Sequence, residues 1–234
     1  MTVEPGEDLA GGEDPRAFFR WVQGLALSGD PRMTPSGTVE VLLSEDSRET
    51  ADDVRHSIWH MTHLPTWSEV RGARAFADRR RRGLEQRYLT TAPSLLRLPM
   101  LASHHHPYAR VGPVVAPMLL LDHKVVFVGA PLGHPRTGEV WSSTSGAVLA
   151  AAVRCFETTW QAAHPAIPPG EDPPFTRRMV DIGFLLADGA SDREIARALH
   201  VSERTVSAEV AEIVRRLGAR GRAHAIALVV GGAY

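Results

Sequence analysis

Between Ala166 and Pro174 the chain runs Ala-Ile-Pro-Pro-Gly-Glu-Asp-Pro-Pro, four prolines and a glycine in nine residues. Each proline lacks an amide donor and fixes its own φ, so neither a helix nor a central strand can pass through. Ordered structure must stop before this stretch and start again after it. A linker at 166–174 is therefore expected to part the chain, and 234 residues suffice for two unequal domains. The expected organisation is an acidic, partly disordered segment at 1–37, an α/β sensor or dimerisation domain at 38–165, and an all-α domain at 175–234.

Past the linker, caps and apolar spacing mark four helices. Thr176 can N-cap the first, which carries Ile182, Leu185 and Leu186 and stops at Asp188-Gly189. Ser191-Asp-Arg-Glu194 has the spacing of a capping box, in which serine and glutamate each satisfy a free backbone amide. Ile195, Ala196 and Leu199 form the buried side of that second helix. Ser202 caps the third, where Val206, Val210, Ile213 and Leu217 recur at spacings of four, three and four, one narrow face. Gly218 ends it, and a fourth helix follows with Ala225, Ile226 and Val229. Two helices joined by a tight turn, the second longer and one-sided, can place a helix in the major groove. Opposite the apolar stripe lie Arg204, Ser207, Ala208, Ala211 and Arg215. Small residues there permit close approach, and arginines near a helix N-terminus meet phosphates or bases.

The segments Phe175-Thr-Arg-Arg, Leu185-Leu-Ala-Asp-Gly189, Ser191-Asp-Arg-Glu-Ile-Ala-Arg-Ala-Leu199, Val201-Ser-Glu-Arg-Thr-Val206 and Arg215-Arg-Leu-Gly218 resemble, without a gap, the LuxR-type DNA-binding domain. The resemblance implies that the third helix reads the major groove and the fourth supports dimerisation. It implies DNA contacts from Arg193, Ser202, Arg204, Thr205, Ser207, Ala208, Ala211 and Arg215. Three positions depart from the family pattern. Met179 stands where a glutamate is usual (Asp181 lies nearby), Ser207 where a lysine is usual, and Glu209 where a histidine is usual. A lost lysine and a gained carboxylate on the recognition helix weaken attraction to phosphate. Residues 175–234 hold nine arginines and seven carboxylates, a net of +2 with histidine neutral.

The N-terminal region mixes both kinds of element. A helix is expected from Pro15 to Leu27, ended by Gly29, Pro31, Pro35 and Gly37. Val39, Val41, Leu42 and Leu43 read as a strand. Val54, Ile58 and Met61 recur at spacings of four and three, which predicts a helix capped at Asp46 or Ser47 and ended by Pro65. Arg71–Gln86 reads as helix, Arg87–Leu89 as strand and Ser94–His105 as helix. Val111–Val115, Met118–Leu121 and Val125–Val128 are short continuous apolar runs, the pattern of strands buried on both faces. A long helix is expected over Ser143–His164.

Within this region Gly83-Leu-Glu-Gln-Arg-Tyr-Leu89, Leu119-Leu-Leu-Asp-His-Lys-Val-Val-Phe-Val128 and Cys155-Phe-Glu-Thr-Thr-Trp-Gln-Ala-Ala163 resemble actinobacterial LuxR-type regulators with a phospholipase-D-like domain before the helix-turn-helix. Catalysis of that kind needs a His-x-Lys pair, histidine as nucleophile and lysine on the phosphate. Here His123 and Lys124 are adjacent, and on a strand they would point to opposite faces. A degenerate, non-enzymatic domain without a cofactor is the expectation.

Other residues have a functional and a plain reading. On a helix, His56, His60 and His63 would share a face able to bind metal, though packing is preferred because no carboxylate completes a site. His104-His105-His106 suits a metal or a pH response, or simply a loop. Arg79–Arg82 reads as a solvated helix face, and Trp59, Trp67, Trp141 and Trp160 as core in preference to a ligand pocket. Cys155 is the only cysteine, which excludes an internal disulfide and a cysteine zinc site. The acidic start (Glu4, Glu7, Asp8) does not read as a signal peptide, and no apolar run is long enough to span a membrane, so a cytoplasmic setting is expected. The combined reading is a transcriptional regulator that binds double-stranded DNA as a homodimer, with a small-molecule effector as a further candidate partner. The alternative is an interaction protein that no longer binds DNA and modulates another regulator.

Overall fold

The computed structural model describes residues 14–38, 54–72, 83–130 and 133–232. The strand expected at Val39–Leu43, the cap at Asp46 or Ser47, the Arg79–Arg82 run and the acidic start lie outside these residues. Two compact units form: Met1–Thr91 with Arg110–His164, and Ala92–Ala109 with Pro165–Tyr234.

The first unit is built on a mixed sheet. Its strands are β1 (Thr34–Thr38), β2 (Ser57–Met61), β3 (Glu85–Thr90), β4 (Ala109–Val111), β5 (Met118–Leu121), β6 (Val125–Gly129), β7 (Glu139–Ser143) and the short β8 (His164–Pro165). The order across the sheet is β1-β7-β6-β5-β2-β3-β4-β8. β2 and β3 are parallel, while β1, β7, β6, β5 and β2 pair antiparallel in turn. Helices α1 (Pro15–Ser28) and α4 (Gly146–Ala162) contribute to one core. That core joins Phe18, Phe19 and Val22 to Val148, Ala152 and Phe156, over Trp59, Met118, Leu120, Val126 and Val128. Alternate residues of the same strands, Leu121, Phe127 and Val140, gather with Val54 in a second cluster. The apolar runs of β5 and β6 are therefore buried on both faces, as their sequences suggest.

Several local expectations give way to the sheet. The helix read through Val54, Ile58 and Met61 is strand β2 instead. Its Ser57, Trp59 and Met61 alternate inward, and neighbours on both sides supply the hydrogen bonds that a lone helix would have made internally. Helix is present at 67–72, but Glu85 already belongs to β3. β1 forms where Pro35 and Gly37 suggested only a break. It occupies the sheet edge with a register shift between Pro35 and Thr38, which a proline tolerates there. After β4 the strand expected to reach Val115 stops at Val111, before Gly112 and Pro113.

Asp122 pins the β5–β6 turn to the start of β2. Its carboxylate accepts the backbone N–H groups of Arg55 (2.8 Å), His56 (2.7 Å) and Ser57 (2.9 Å). Burial alone would raise this carboxyl, but the three amide bonds win and hold it below the ordinary value. Asp122→Ala is expected to destabilise the protein by about 1–3 kcal/mol at neutral pH, because three amides lose a charged acceptor. A group whose folded pKa is depressed stabilises above its unfolded pKa and loses that effect as pH falls through the folded value. The gap in melting temperature between wild type and variant should therefore shrink in acid. A gap that is constant down to pH 3 would contradict this account.

The second unit is all helical apart from its strand ends. It holds α2 (Ala92–Arg97), α3 (Leu101–His104), α5 (Arg177–Ala187), α6 (Asp192–Leu199), α7 (Glu203–Arg216) and α8 (Arg222–Val229). The single helix expected at Ser94–His105 is split, since Pro99 has no amide and disfavours helix at the residue before it. The stretch 166–174 is irregular, as its prolines require, yet it is tied down. Ala166 N–H donates to Ala109 O at 3.0 Å, and Phe175 N–H to Ser103 Oγ at 3.1 Å. Among the described residues no helix is long and apolar enough to cross a membrane.

Candidate nucleic-acid interface

The caps read from the sequence position the helices. Thr176 Oγ1 accepts from Met179 N–H at 3.2 Å, and Ser202 Oγ from Thr205 N–H at 3.1 Å. Ser191 and Glu194 form the reciprocal capping box. α6 ends on His200 in the left-handed region (φ 55°), which turns the chain sharply into the Ser202 cap of α7. Gly189 (φ 84°) and Gly218 (φ 62°) end α5 and α7 as the sequence suggests.

α7 buries Val206, Val210 and Ile213. Its other side leaves Arg204, Ser207, Ala208, Ala211 and Arg215 exposed together. Arg193 is exposed on α6. Ser202 is the N-cap of α7 and Thr205 lies in its first turn, and their hydroxyls bond each other at 2.8 Å as part of the cap. Of the eight residues singled out in the sequence, then, five line one helix face, two form its cap and one lies on the helix before it.

The charges are arranged in ways that spacing alone did not reveal. Glu209 is turned toward α5, where Arg178 Nη1 lies 3.6 Å from its carboxylate. The carboxylate that would repel DNA is thus partnered and off the exposed stripe. Arg215, by contrast, is engaged: its Nε donates to Glu212 at 2.6 Å, and Arg216 Nε donates to the same carboxylate at 2.7 Å. These two arginines hold Glu212 down to about 2. Glu212 sits three and four residues before its partners, the spacing that brings side chains together on a helix and is already visible in the sequence. Asp192, at the start of α6, accepts from Ser207 Oγ at 2.8 Å and from Arg222 Nη1, while Arg222 Nη2 donates to Ala190 O at 3.1 Å. Arg222 first and Ser207 second hold Asp192 below the ordinary carboxylate value.

Elsewhere the candidate sites become structural. His56 precedes β2, His60 lies on it against Tyr88 (ring centroids 5.4 Å), and His63 follows it, so the three share no helix face. Burial pushes His60 down to about 4 and lowers His63. His104 is buried against Phe184 at 5.0 Å. Among the described residues no group of three metal-ligating side chains gathers. His123 and Lys124 are in the β5–β6 turn, not on a strand, because Asp122 and His123 both adopt positive φ (51° and 54°). The His123 ring packs on Trp59 at 4.2 Å. Trp59 and Trp141 are core, and burial pushes the Cys155 thiol up to about 12.

Residues 173–229 match the GerE family, bacterial regulatory proteins of the luxR family. No curated protein matches the chain. Among solved structures it is similar to TrmBL2, an archaeal chromatin protein (15% identity, TM-score 0.43, 64% of this chain and 61% of that one). It is also similar to Nuc from Salmonella typhimurium, a phospholipase D family member (13%, TM-score 0.42, 57% and 95%). NucT from Helicobacter pylori is similar at 11% identity and TM-score 0.41, over 57% of this chain and 99% of that one. The chain thus spans less than two thirds of TrmBL2, and at these scores the chemistry of the sheet unit rests on its own residues.

Proposed function

From the premise that residues 173–229 are a LuxR-type helix-turn-helix domain, we propose that this chain is a transcriptional regulator that binds operator DNA through α7 and acts as a homodimer. The observation that carries the reading is the division of α7 into a buried apolar stripe and an exposed one of small residues and arginine. Small residues on the outer face let a helix lie close to the base edges, and Ala208 and Ala211 supply them. Arg204, one residue into the first turn, is exposed and makes no ion pair among the described residues, so its charge is available to phosphate or a base edge. Arg193 supports it from α6. The pairing of Glu209 with Arg178 removes the main charge argument for a protein that has lost DNA binding. A small-molecule effector acting through the sheet unit belongs to the same proposal.

The test is selection from random duplexes with the purified full chain, repeated over a salt series. A palindromic motif is expected, with half-sites about one helical turn apart. Occupancy should fall steeply with salt, and Arg204→Ala should weaken binding at least about tenfold, the loss of a charged contact. A folded dimer that selects no motif even at low salt would overturn the proposal.

A further inference from the structure

We infer that Ser207 faces the groove as a hydrogen-bond acceptor only, and that it selects a base-pair edge presenting an exocyclic amine, adenine N6 or cytosine N4. This rests on the reading of α7 as the DNA-facing helix. A serine hydroxyl has one hydrogen to give and two lone pairs to receive with. Ser207 gives its hydrogen to Asp192 Oδ2 at 2.8 Å. The competing uses of that hydrogen are a neutral carbonyl one turn back or a base acceptor, and a bond to a carboxylate is roughly twice as strong as either. Asp192 cannot reverse the bond by donating, since Arg222 holds it ionised, and Arg222 is itself anchored on Ala190 O. Ser207 is exposed, so its remaining lone pairs are open to the outer side of α7.

In the major groove adenine N6 and cytosine N4 donate, while guanine O6 and N7 and thymine O4 accept. An oxygen without a free hydrogen complements the first group and meets the second lone pair to lone pair. Asp192 and Arg222 are positioning residues here. They touch no base, but they decide which way the Ser207 hydroxyl points.

The experiment uses the full chain and the duplex found by selection. Comparing wild type with Ser207→Ala locates the position whose base preference relaxes. There, purine in place of adenine, or 2-pyrimidinone in place of cytosine, removes the amine from the major-groove edge, together with one pairing bond whose loss both proteins feel alike. 2-Aminopurine in place of guanine, or the 7-deaza analogue of either purine base, removes an acceptor from that edge. Amine deletion is expected to weaken wild type about fivefold more than it weakens Ser207→Ala, one hydrogen bond's worth. Acceptor deletion should affect both proteins equally. Asp192→Asn, nearly isosteric, provides a readout that a merely structural role would not move. With Arg222 on its oxygen, the amide nitrogen faces Ser207 and becomes the donor, so the hydroxyl hydrogen turns outward and the preference should invert toward an acceptor edge. Melting curves confirm that each variant is folded. The inference falls if the Ser207-dependent loss follows O6 or N7 deletion. It also falls if Ser207→Ala shifts no position in a duplex that Arg204→Ala binds more weakly, an outcome that leaves the regulator intact. A wild type that selects no sequence overturns both.

Discussion

Phe156→Ala is expected to destabilise the protein by about 3–5 kcal/mol, the usual cost of emptying a large aromatic site. Phe156 is 0% exposed on α4. Its ring lies 5.1 Å from that of Trp59 on β2 and 6.1 Å from that of Trp160 one turn further along the helix. The guanidinium of Arg87 covers both indoles, 4.1 Å from Trp59 and 5.4 Å from Trp160, and is held by Glu157 and Glu85, each at 2.8 Å. This arginine cannot slide inward to fill a void without leaving both carboxylates. The site should therefore collapse poorly, which puts the cost toward the upper end. Phe156→Leu keeps most of the volume and should cost roughly 1–1.5 kcal/mol. Urea titration followed by tryptophan fluorescence is the measurement, since Trp59 and Trp160 border the cavity. A loss under 1 kcal/mol for the alanine variant would mean that α4 is not what holds the sheet.

The contrast between the two units shows what a single sequence makes legible. In the helical unit the signals are local. Thr176, Ser191 with Glu194, and Ser202 each bond an amide within three residues, so their roles can be read from spacing. The buried stripe of Val206, Val210 and Ile213 then fixes the opposite face by geometry, and the exposed set follows. What spacing could not supply is pairing across the fold. Ser207 reaches Asp192 across 15 positions and Arg222 reaches it across 30, and these contacts decide which charges on the face remain available. In the sheet unit nearly everything is non-local. β2 carries both a helical and an alternating pattern, and only the partners β3 and β5 choose between them. β1 has no apolar run at all. It becomes a strand because β7 offers it an edge. The Asp122 turn belongs to the same class, a residue whose role lies in three amides more than sixty positions earlier.

Met100→Ala should cost about 2–4 kcal/mol, and it should turn a second, near-neutral substitution into a stabilising one. Gly183 lies inside α5, where glycine is about 1 kcal/mol worse than alanine. The helix carries it because a methyl group there would lie 2.5 Å from Met100 Sδ and 3.1 Å from Met100 Cε. Met100, 3% exposed, thus seats on bare backbone, with Ser103 on the Phe175 amide and His104 against Phe184 beside it. A second glycine repeats the device: a methyl on Gly231 would lie 3.1 Å from Leu98 Cδ2 and 3.2 Å from Arg97 O. In wild type, Gly183→Ala gains helix propensity but must push the thioether aside, so the two effects offset. With Met100 already alanine the space is open, and Gly183→Ala should stabilise by about 1 kcal/mol. Equal effects of Gly183→Ala in both backgrounds would show that Met100 does not fill that groove. The same contact bears on where the helical unit begins. Residues 92–109 come from the far side of β4 in sequence, yet they supply part of its core. A fragment begun at the proline-rich stretch would lack Met100, and it should be less stable than the same helices in the whole chain by at least what Met100→Ala costs.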